Sequence, residues 1–441
     1  MLRFAPSPTG NLHVGNARIA ILNYLFAKKN KLKFILRIDD TDRDRSKESF
    51  IRVIKEDLKW LGIQYDFTFN QSDRIEKYYD SCEILKKKGK LYPCYETPEE
   101  LELKRKIQLK TGKPPIYDRS SLKLSKKDIL EYHRLGRKPH WRLLLDDDPI
   151  RWVDLIHREI NFEKLSISDP VLVRSDNTPL FTITSVVDDI DFNVSHILRG
   201  DDHITNTAAQ IKLFKYLGGN IPNFGHLPLL KSFSGEGMSK RSNTFSLKEI
   251  REKKINPDAL NTILTLLGTK FPTDEILSIE KLIDKLELEN FSLAPIKFNY
   301  EDLYRLNSKF IKELSYSEIK KIVKQDFSNS FWEAIKSNIE NVGDIDVWLD
   351  IIYNENFSKN KSIGDKKLLE VAQSSLPDEI DQSSWKKWTD FIKDKSGIKG
   401  KNLFMPLRMA LTGLENGPEM KLVLPLMKRE EIIRRLKKIK L

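Results

Sequence analysis

The chain has 441 residues, too many for one hydrophobic core, and its 39% hydrophobic and 32% charged composition is that of a water-soluble protein with two to four domains. No run of about 18 apolar residues is present to cross a bilayer, and the opening segment lacks the charged-then-apolar order of a secretory leader, so a cytoplasmic location is expected. A formal charge of +12 favours a polyanionic partner.

Taken in chain order, the first 80 residues alternate between strand and helix periods. A strand carrying Arg3 runs into a turn rich in Pro6, Pro8, Gly10 and Gly15, and a helix is predicted from near Asn16 through "ARIAILNYLFAKK" (17–29). "KFILRIDD" (33–40) predicts a buried strand ending in acids, and "SFIRVIKEDLKWLG" (49–62) a second helix. Strand, helix, strand, helix implies a parallel sheet, whose ligands lie beyond the carboxyl ends of the strands. Residues 81–180 change texture. "KTGKPPIYDRSS" reads as a loop and "WRLLLDDDPIRWVDLI" as strand, turn, strand, so an α+β insertion is expected. "VLVRSDNTPLFTITSVVDDID" (171–191) returns to a buried element, "HILRGDDH" (196–203) to a short apolar run ending in charges, and 207–218 to a helix. A loop-rich segment spans 225–247. Beyond about 250 the period is helical; Trp332, Trp348, Trp385 and Trp388 are expected to pack helices, and the last stretch, "KREEIIRRLKKIKL", reads as a solvated basic helix with Ile432, Ile433, Leu436 and Ile439 on its apolar face.

Three stretches carry chemistry. At the first turn, unpaired backbone amides and the positive end of the helix dipole are expected to make an anion site, with Gly10 and Gly15 admitting the ligand and His13 adding a donor. Neither GxxxxGK[ST] nor GxGxxG is present, so this is a nucleotide site of another kind. The second stretch is "GEGMSKR" (235–241), where Lys240 and Arg241 can close on a polyphosphate and stabilise a leaving pyrophosphate. The third is a set of groups at strand ends. Arg3 and Arg199 can each hold a carboxylate bidentately and Asp39 can take an ammonium, a combination that suits an acidic amino acid. All seven histidines lie in the first 226 residues, which puts acid/base or phosphate chemistry in the N-terminal half. The two cysteines, Cys82 and Cys94, have no companions at disulfide or metal spacing.

These stretches resemble the class I aminoacyl-tRNA synthetases, specifically the bacterial-type glutamyl-tRNA synthetases. "FAPSPTGNLHVGNAR" resembles the family's HIGH region, with His13, Val14, Gly15 and Asn16 in the motif positions, and "RIDDTDRDRS" (37–46) its Arg-Ile-Glu-Asp-Thr-Asp segment. "PLFTITSVVDDID", "ILRGDDHITNT", "GMSKR" at the KMSKS loop and "LFMPLRMALTGLENGPEM" (403–420) follow in the family's order. The resemblance spans essentially the whole chain.

It implies a dinucleotide-binding, Rossmann-like α/β catalytic domain (1–80 and 181–230) split by an α+β acceptor-end insertion (81–180). A stem-contact region with the lysine loop (231–310) and an all-α anticodon-binding region (311–441) would follow. His13 and Lys240 would be catalytic and bind ATP together with Gly15, Asp202 and Arg241; Arg3, Ser7, Asp39, Phe181, Ser185 and Arg199 would line the glutamate site. The implied substrates are L-glutamate, ATP with Mg2+, and tRNA(Glu), with tRNA(Gln) as a second candidate and the enzyme a monomer. The chain departs from the family at Asp39, usually Glu, at Phe181, commonly Tyr, and at Gly237, usually Lys. Some relatives bind zinc through Cys-x-Cys and later ligands; Cys94-Tyr95-Glu96 and "YDRSS" (117–121) provide no second thiol, so no zinc is expected. Pro6-Ser7-Pro8-Thr9 stands where glutaminyl enzymes carry Pro-Glu-Pro-Asn, which favours glutamate. A basic RNA-binding protein that kept the fold without the chemistry is the alternative of another class, and His13, Lys240, Arg3 and Arg199 argue against it.

Overall fold

The structure, a computed structural model, describes residues 1–163, 166–232, 246–354 and 366–437. The chain forms two compact units: Met1–Arg251 with Pro257–Asn299, and Glu252–Asn256 with Tyr300–Leu441.

In the first unit, β1 (Leu2–Phe4), α1 (Val14–Lys29), β2 (Phe34–Ile38), α2 (Glu48–Trp60) and β3 (Thr68–Asn70) alternate, and the strands pair in parallel in the order β1, β2, β3. Ten residues of α1 are buried, on every face, as expected of a helix laid across a sheet inside a core. It begins at Val14, two residues before the predicted start, because His13 caps it. All five residues of β2 are buried, Arg37 among them.

After α3 (Ile75–Lys87) comes the insertion. It contains β4 (Leu91–Cys94), α4 (Pro98–Lys110), α5 (Lys126–Arg134) and β5 (His140–Leu143), then a hairpin of β6 (Ile150–Asp154) and β7 (Arg158–Phe162), and β8 (Val171–Val173). Strands β4, β5 and β8 form an antiparallel sheet, a mixed α+β texture as expected. The parallel pattern then resumes with α6 (Phe181–Asp191), β9 (His196–Gly200), α7 (Ile204–Leu217) and β10 (Asn223–Leu227), in which β10 pairs with β9 and His226 stands opposite Arg199. The amide of Ser195 donates to the Met1 carbonyl at 3.0 Å, which sets the start of β9 beside β1.

The unit closes with β11 (Leu230–Ser232), α8 (Leu247–Glu252), α9 (Pro257–Leu266), α10 (Ile279–Lys285) and β12 (Ile296–Phe298). One buried guanidinium joins these parts. Arg18 of α1 donates to the carbonyls of Leu264 (3.2 Å), Leu267 (2.9 Å) and Pro228 (3.0 Å), two of them at the carbonyl end of α9.

The second unit is helical among its described residues, from α11 (Tyr300–Glu313) to a last helix at Arg429–Lys437. Trp332, Trp348 and Trp388 are buried in its core, and Trp385 packs edge-on against Trp388. The last helix corrects the solvated reading. Ile432 and Leu436 are buried, but so is Arg435, which donates to the carbonyls of Ile351 (2.7 Å) and Leu411 (2.5 Å). Ile439 lies outside the described residues.

Candidate active site

A cavity of about 770 Å³ opens at the carboxyl ends of β1 and β9. Arg3, Ser7, His13, Gly15, Asp39, Phe181, Arg199 and Asp202 all line it, so the structure brings together most of the candidates proposed from sequence. Ser185 is not among the lining residues. It is buried in α6, where its hydroxyl accepts from Arg37 Nη2 at 3.0 Å. Lys240, Arg241 and Gly237 lie outside the described residues.

At the start of α1 the expected unpaired amides are in use. Gly15 N and Asn16 N both donate to His13 Nδ1, at 3.1 and 3.4 Å, and Asn16 Oδ1 accepts from His13 N, closing a capping box. The ring is drawn back over its own helix and the site loses those two amides as anion donors. A ring nitrogen that accepts carries no proton, so the proton resides on Nε2, a donor. Gly15 is needed for this closeness: a Cβ there would lie 2.9 Å from His13 Cε1.

Beneath the cavity lies an ion network that sequence reading missed. Arg37 donates to Asp39 through Nε (2.7 Å) and Nη2 (3.2 Å), and to Asp189 through Nη1 (3.2 Å). Arg3 donates to the same Asp189 through Nε and Nη2. Asp188 accepts from Gln71, Arg74 and Tyr78. Arg3 therefore already holds a carboxylate of the protein, and Asp39 already meets a guanidinium two positions before it. Burial raises the Asp39 carboxyl above its ordinary value, against the pull of Arg37.

Arg199 differs. Its Nη2 donates to Thr207 Oγ1 (2.5 Å) and Gln210 Oε1 (2.6 Å), both uncharged, and among the described residues Nε and Nη1 meet no acceptor. Burial, with Arg3 nearby, lowers its pKa to about 9, and it remains a cation at neutral pH with no carboxylate hydrogen-bonded to it among the described residues. An unpaired buried charge of this kind creates demand for an anion. His203, against Phe181 at 5.4 Å between ring centres, is lowered to about 4 by burial and by Arg199, and is uncharged at neutral pH.

The comparisons with known proteins bear on this geometry. The model of the class I tRNA synthetases for E and Q, catalytic domain, matches residues 1–305, and that of an anticodon-binding domain matches 300–440. The chain belongs to the class I glutamyl and glutaminyl tRNA synthetases. Glutamate–tRNA ligase 1 of Rickettsia prowazekii is 46% identical over 440 residues, covering 98% of both chains. Glutamate–tRNA ligase 2 of Bartonella henselae is 44% identical, covering 99% of this chain and 98% of its own. A crystal structure of a glutamate tRNA ligase from Elizabethkingia meningosepticum, in complex with its amino acid, superposes with a TM-score of 0.77 at 24% identity, covering 99% of this chain and 98% of the other. The class I catalytic fold followed by a helical anticodon-binding region is thus the architecture of this synthetase.

Two further features bear on metals and spans. Among the described residues no group of three His, Cys, Asp or Glu side chains could hold a metal ion, and no helix is long and apolar enough to cross a membrane. Around the buried Cys94, Glu96 Oε1 accepts from Tyr117 and Ser120, and Oε2 from Ser121, each at 2.8 Å.

Proposed function

We propose that the chain is a glutamate–tRNA ligase. It activates L-glutamate with ATP to glutamyl-adenylate and pyrophosphate, then transfers the glutamyl group to the 3′ end of tRNA(Glu). The observation that carries the choice of substrate is Arg199, a buried cation at the cavity wall whose Nε and Nη1 have no protein acceptor among the described residues. A glutamate carboxylate supplies the missing anion. Arg3, Ser7, Asp39 and Phe181 complete the glutamate subsite in this reading. Ser185 contributes through Arg37 and so through Asp39.

In the first step a carboxylate oxygen of glutamate attacks the α-phosphorus of ATP and pyrophosphate leaves. His13 Nε2–H is assigned to the phosphate oxygens, with Lys240 and Arg241 taking up the charge that grows on the leaving group and Gly15 and Asp202 at the nucleotide. In the second, a terminal ribose hydroxyl of the tRNA attacks the adenylate carbonyl and AMP leaves. ATP is taken as its Mg2+ complex, a substrate and not a resident cofactor. No zinc is assigned, because both oxygens of Glu96 are engaged by hydroxyls beside the single thiol of Cys94.

In the same reading, residues 81–180 meet the acceptor end, 231–310 the stem and 311–441 the anticodon, and the enzyme works as a cytoplasmic monomer. tRNA(Gln) is the second acceptor. The test is glutamate charging, with ATP and magnesium, of separately transcribed tRNA(Glu) and tRNA(Gln) from the source organism. Charging of tRNA(Glu) alone makes the enzyme discriminating, and charging of both requires a later amidation of glutamyl-tRNA(Gln). Charging of neither overturns the reading.

A further inference from the structure

Behind Arg199 runs a line of buried hydrogen bonds that the proposed chemistry does not use. It begins at Asp154, the last residue of β6 in the insertion. Asp154 Oδ1 accepts from the amides of Ile156 (3.0 Å), His157 (3.0 Å) and His226 (3.1 Å), and Oδ2 lies 2.6 Å from His226 Nδ1. So many donors keep the carboxylate ionised, with a pKa lowered to about 2 in spite of burial. An ionised carboxylate can only accept, so His226 Nδ1 carries the proton and donates. The ring is fully buried, and burial lowers its pKa, so it is neutral and Nε2 is a bare acceptor.

The hydroxyl of Thr207 lies 2.7 Å from that nitrogen. Its other acceptor, the His203 carbonyl, is farther away at 3.2 Å, so the single hydroxyl proton goes to Nε2 and the lone pairs are left for Arg199 Nη2 at 2.5 Å. Each donor and acceptor along Asp154, His226, Thr207 and Arg199 thus has one consistent direction. The four residues come from β6, β10, α7 and β9. The fold holds His226 opposite Arg199 in the β9–β10 register, and the guanidinium also lies over the Phe224 ring at 5.7 Å. The guanidinium is in this way fixed on one edge by neutral groups while, among the described residues, Nε and Nη1 meet no acceptor.

We infer that Asp154, His226 and Thr207 are positioning residues for substrate carboxylate recognition: they orient Arg199 without neutralising it. This rests on the proposed reading of Arg199 as the glutamate carboxylate's partner. The chain of neutral groups has a chemical logic. A carboxylate in Thr207's place would hold the arginine equally well and compete with the substrate for it, whereas a hydroxyl polarised by a histidine cannot.

The test is steady-state aminoacylation of tRNA(Glu) by the full chain, with KM for glutamate and for ATP measured in parallel and melting temperature recorded for each variant. Thr207→Val keeps the shape and removes the hydroxyl; it should raise KM for glutamate about tenfold or more, the loss expected when one bond to a charged donor goes, with KM for ATP within about twofold. Thr207→Ser should restore the wild-type KM. His226→Asn, whose shorter amide can still donate to Asp154 from the Nδ1 position but leaves no acceptor at that of Nε2, should mimic Thr207→Val. A folded Thr207→Val or His226→Asn enzyme whose two KM values are both unchanged, or rise together, overturns the inference. So does an equal defect in Thr207→Ser. If the valine variant fails to fold, the comparison of His226→Asn with Thr207→Ser decides on the same terms. Failure of the underlying reading looks different: the wild-type protein would then not charge tRNA with glutamate at all.

Discussion

Arg3 and Asp189 meet in two parallel hydrogen bonds, of 2.9 and 3.2 Å, across a separation of 186 positions in the chain. The same carboxylate also takes Arg37, which Asp39 holds from the other side. Asp189→Asn keeps the shape, takes the carboxylate from Arg3 and leaves Arg37 with Asp39 as its hydrogen-bonded acid. The expected cost is about 3–5 kcal/mol of stability, read as a large fall in the melting temperature. Glutamate KM should rise as well, because Arg3 loses the anchor that aims it. A melting temperature within a degree of wild type would contradict this account of the network.

Lys240 and His13 are assigned to the same phosphates but from different segments. Lys240→Ala should slow adenylate formation by about two to three orders of magnitude, as removal of one preorganised donor does, while tRNA affinity in filter binding stays nearly intact. Equal losses in both would show that the lysine serves RNA binding instead.

Asp57 of α2 is buried, its two oxygens accept no hydrogen bond among the described residues, and Arg251 is 3.4 Å away. Burial pushes its carboxyl up to about 7 from an ordinary 3.8. Between those two values the folded chain holds a proton that the unfolded chain has released, so this residue's contribution to stability falls as pH rises from about 4 to 7 and is flat above. Asp57→Asn does not titrate. It should therefore gain on the wild type by about 2–4 kcal/mol between pH 5 and pH 8 in chemical denaturation. A difference that is constant across this range would exclude an elevated Asp57.

The +12 formal charge predicts a steep salt dependence of tRNA binding. With about six phosphate contacts, affinity should drop about a thousandfold between 50 and 200 mM salt. A nearly flat plot of log affinity against log salt would remove the basic tRNA-binding surface from the account.

Local periodicity made much of the fold legible. The helix through 17–29, the strand within 33–40 and the helix at 49–62 each needed only a dozen residues of pattern, and each formed with its ends within three residues of that reading. The HIGH-like turn announced its cavity because proline and glycine there serve no ordinary packing purpose. Arg37 was invisible for the opposite reason. In "KFILRIDD" it reads as one polar interruption of an apolar strand, and its partners at 188 and 189 lie on a helix about 150 positions away. His226 was equally silent, since only the pairing of β9 with β10 and the return of the insertion hairpin bring Asp154 to it. His13 misled at the level of a single bond: its position at the helix start was readable, but a ring turned back onto Gly15 and Asn16 depends on rotamer and on the missing Cβ of Gly15.

Arg18 meets carbonyl dipoles at Leu264, Leu267 and Pro228, and its pKa, lowered to about 10 by burial, still leaves it charged at neutral pH. A joint made of a buried cation and peptide carbonyls has, among the described residues, no carboxylate hydrogen-bonded to it whose protonation would undo it. The grip on RNA is therefore tunable by ionic conditions while the seam between α1 and α9 is not. A rise in salt that strips the nucleic acid from such an enzyme should leave its catalytic architecture assembled, ready to rebind.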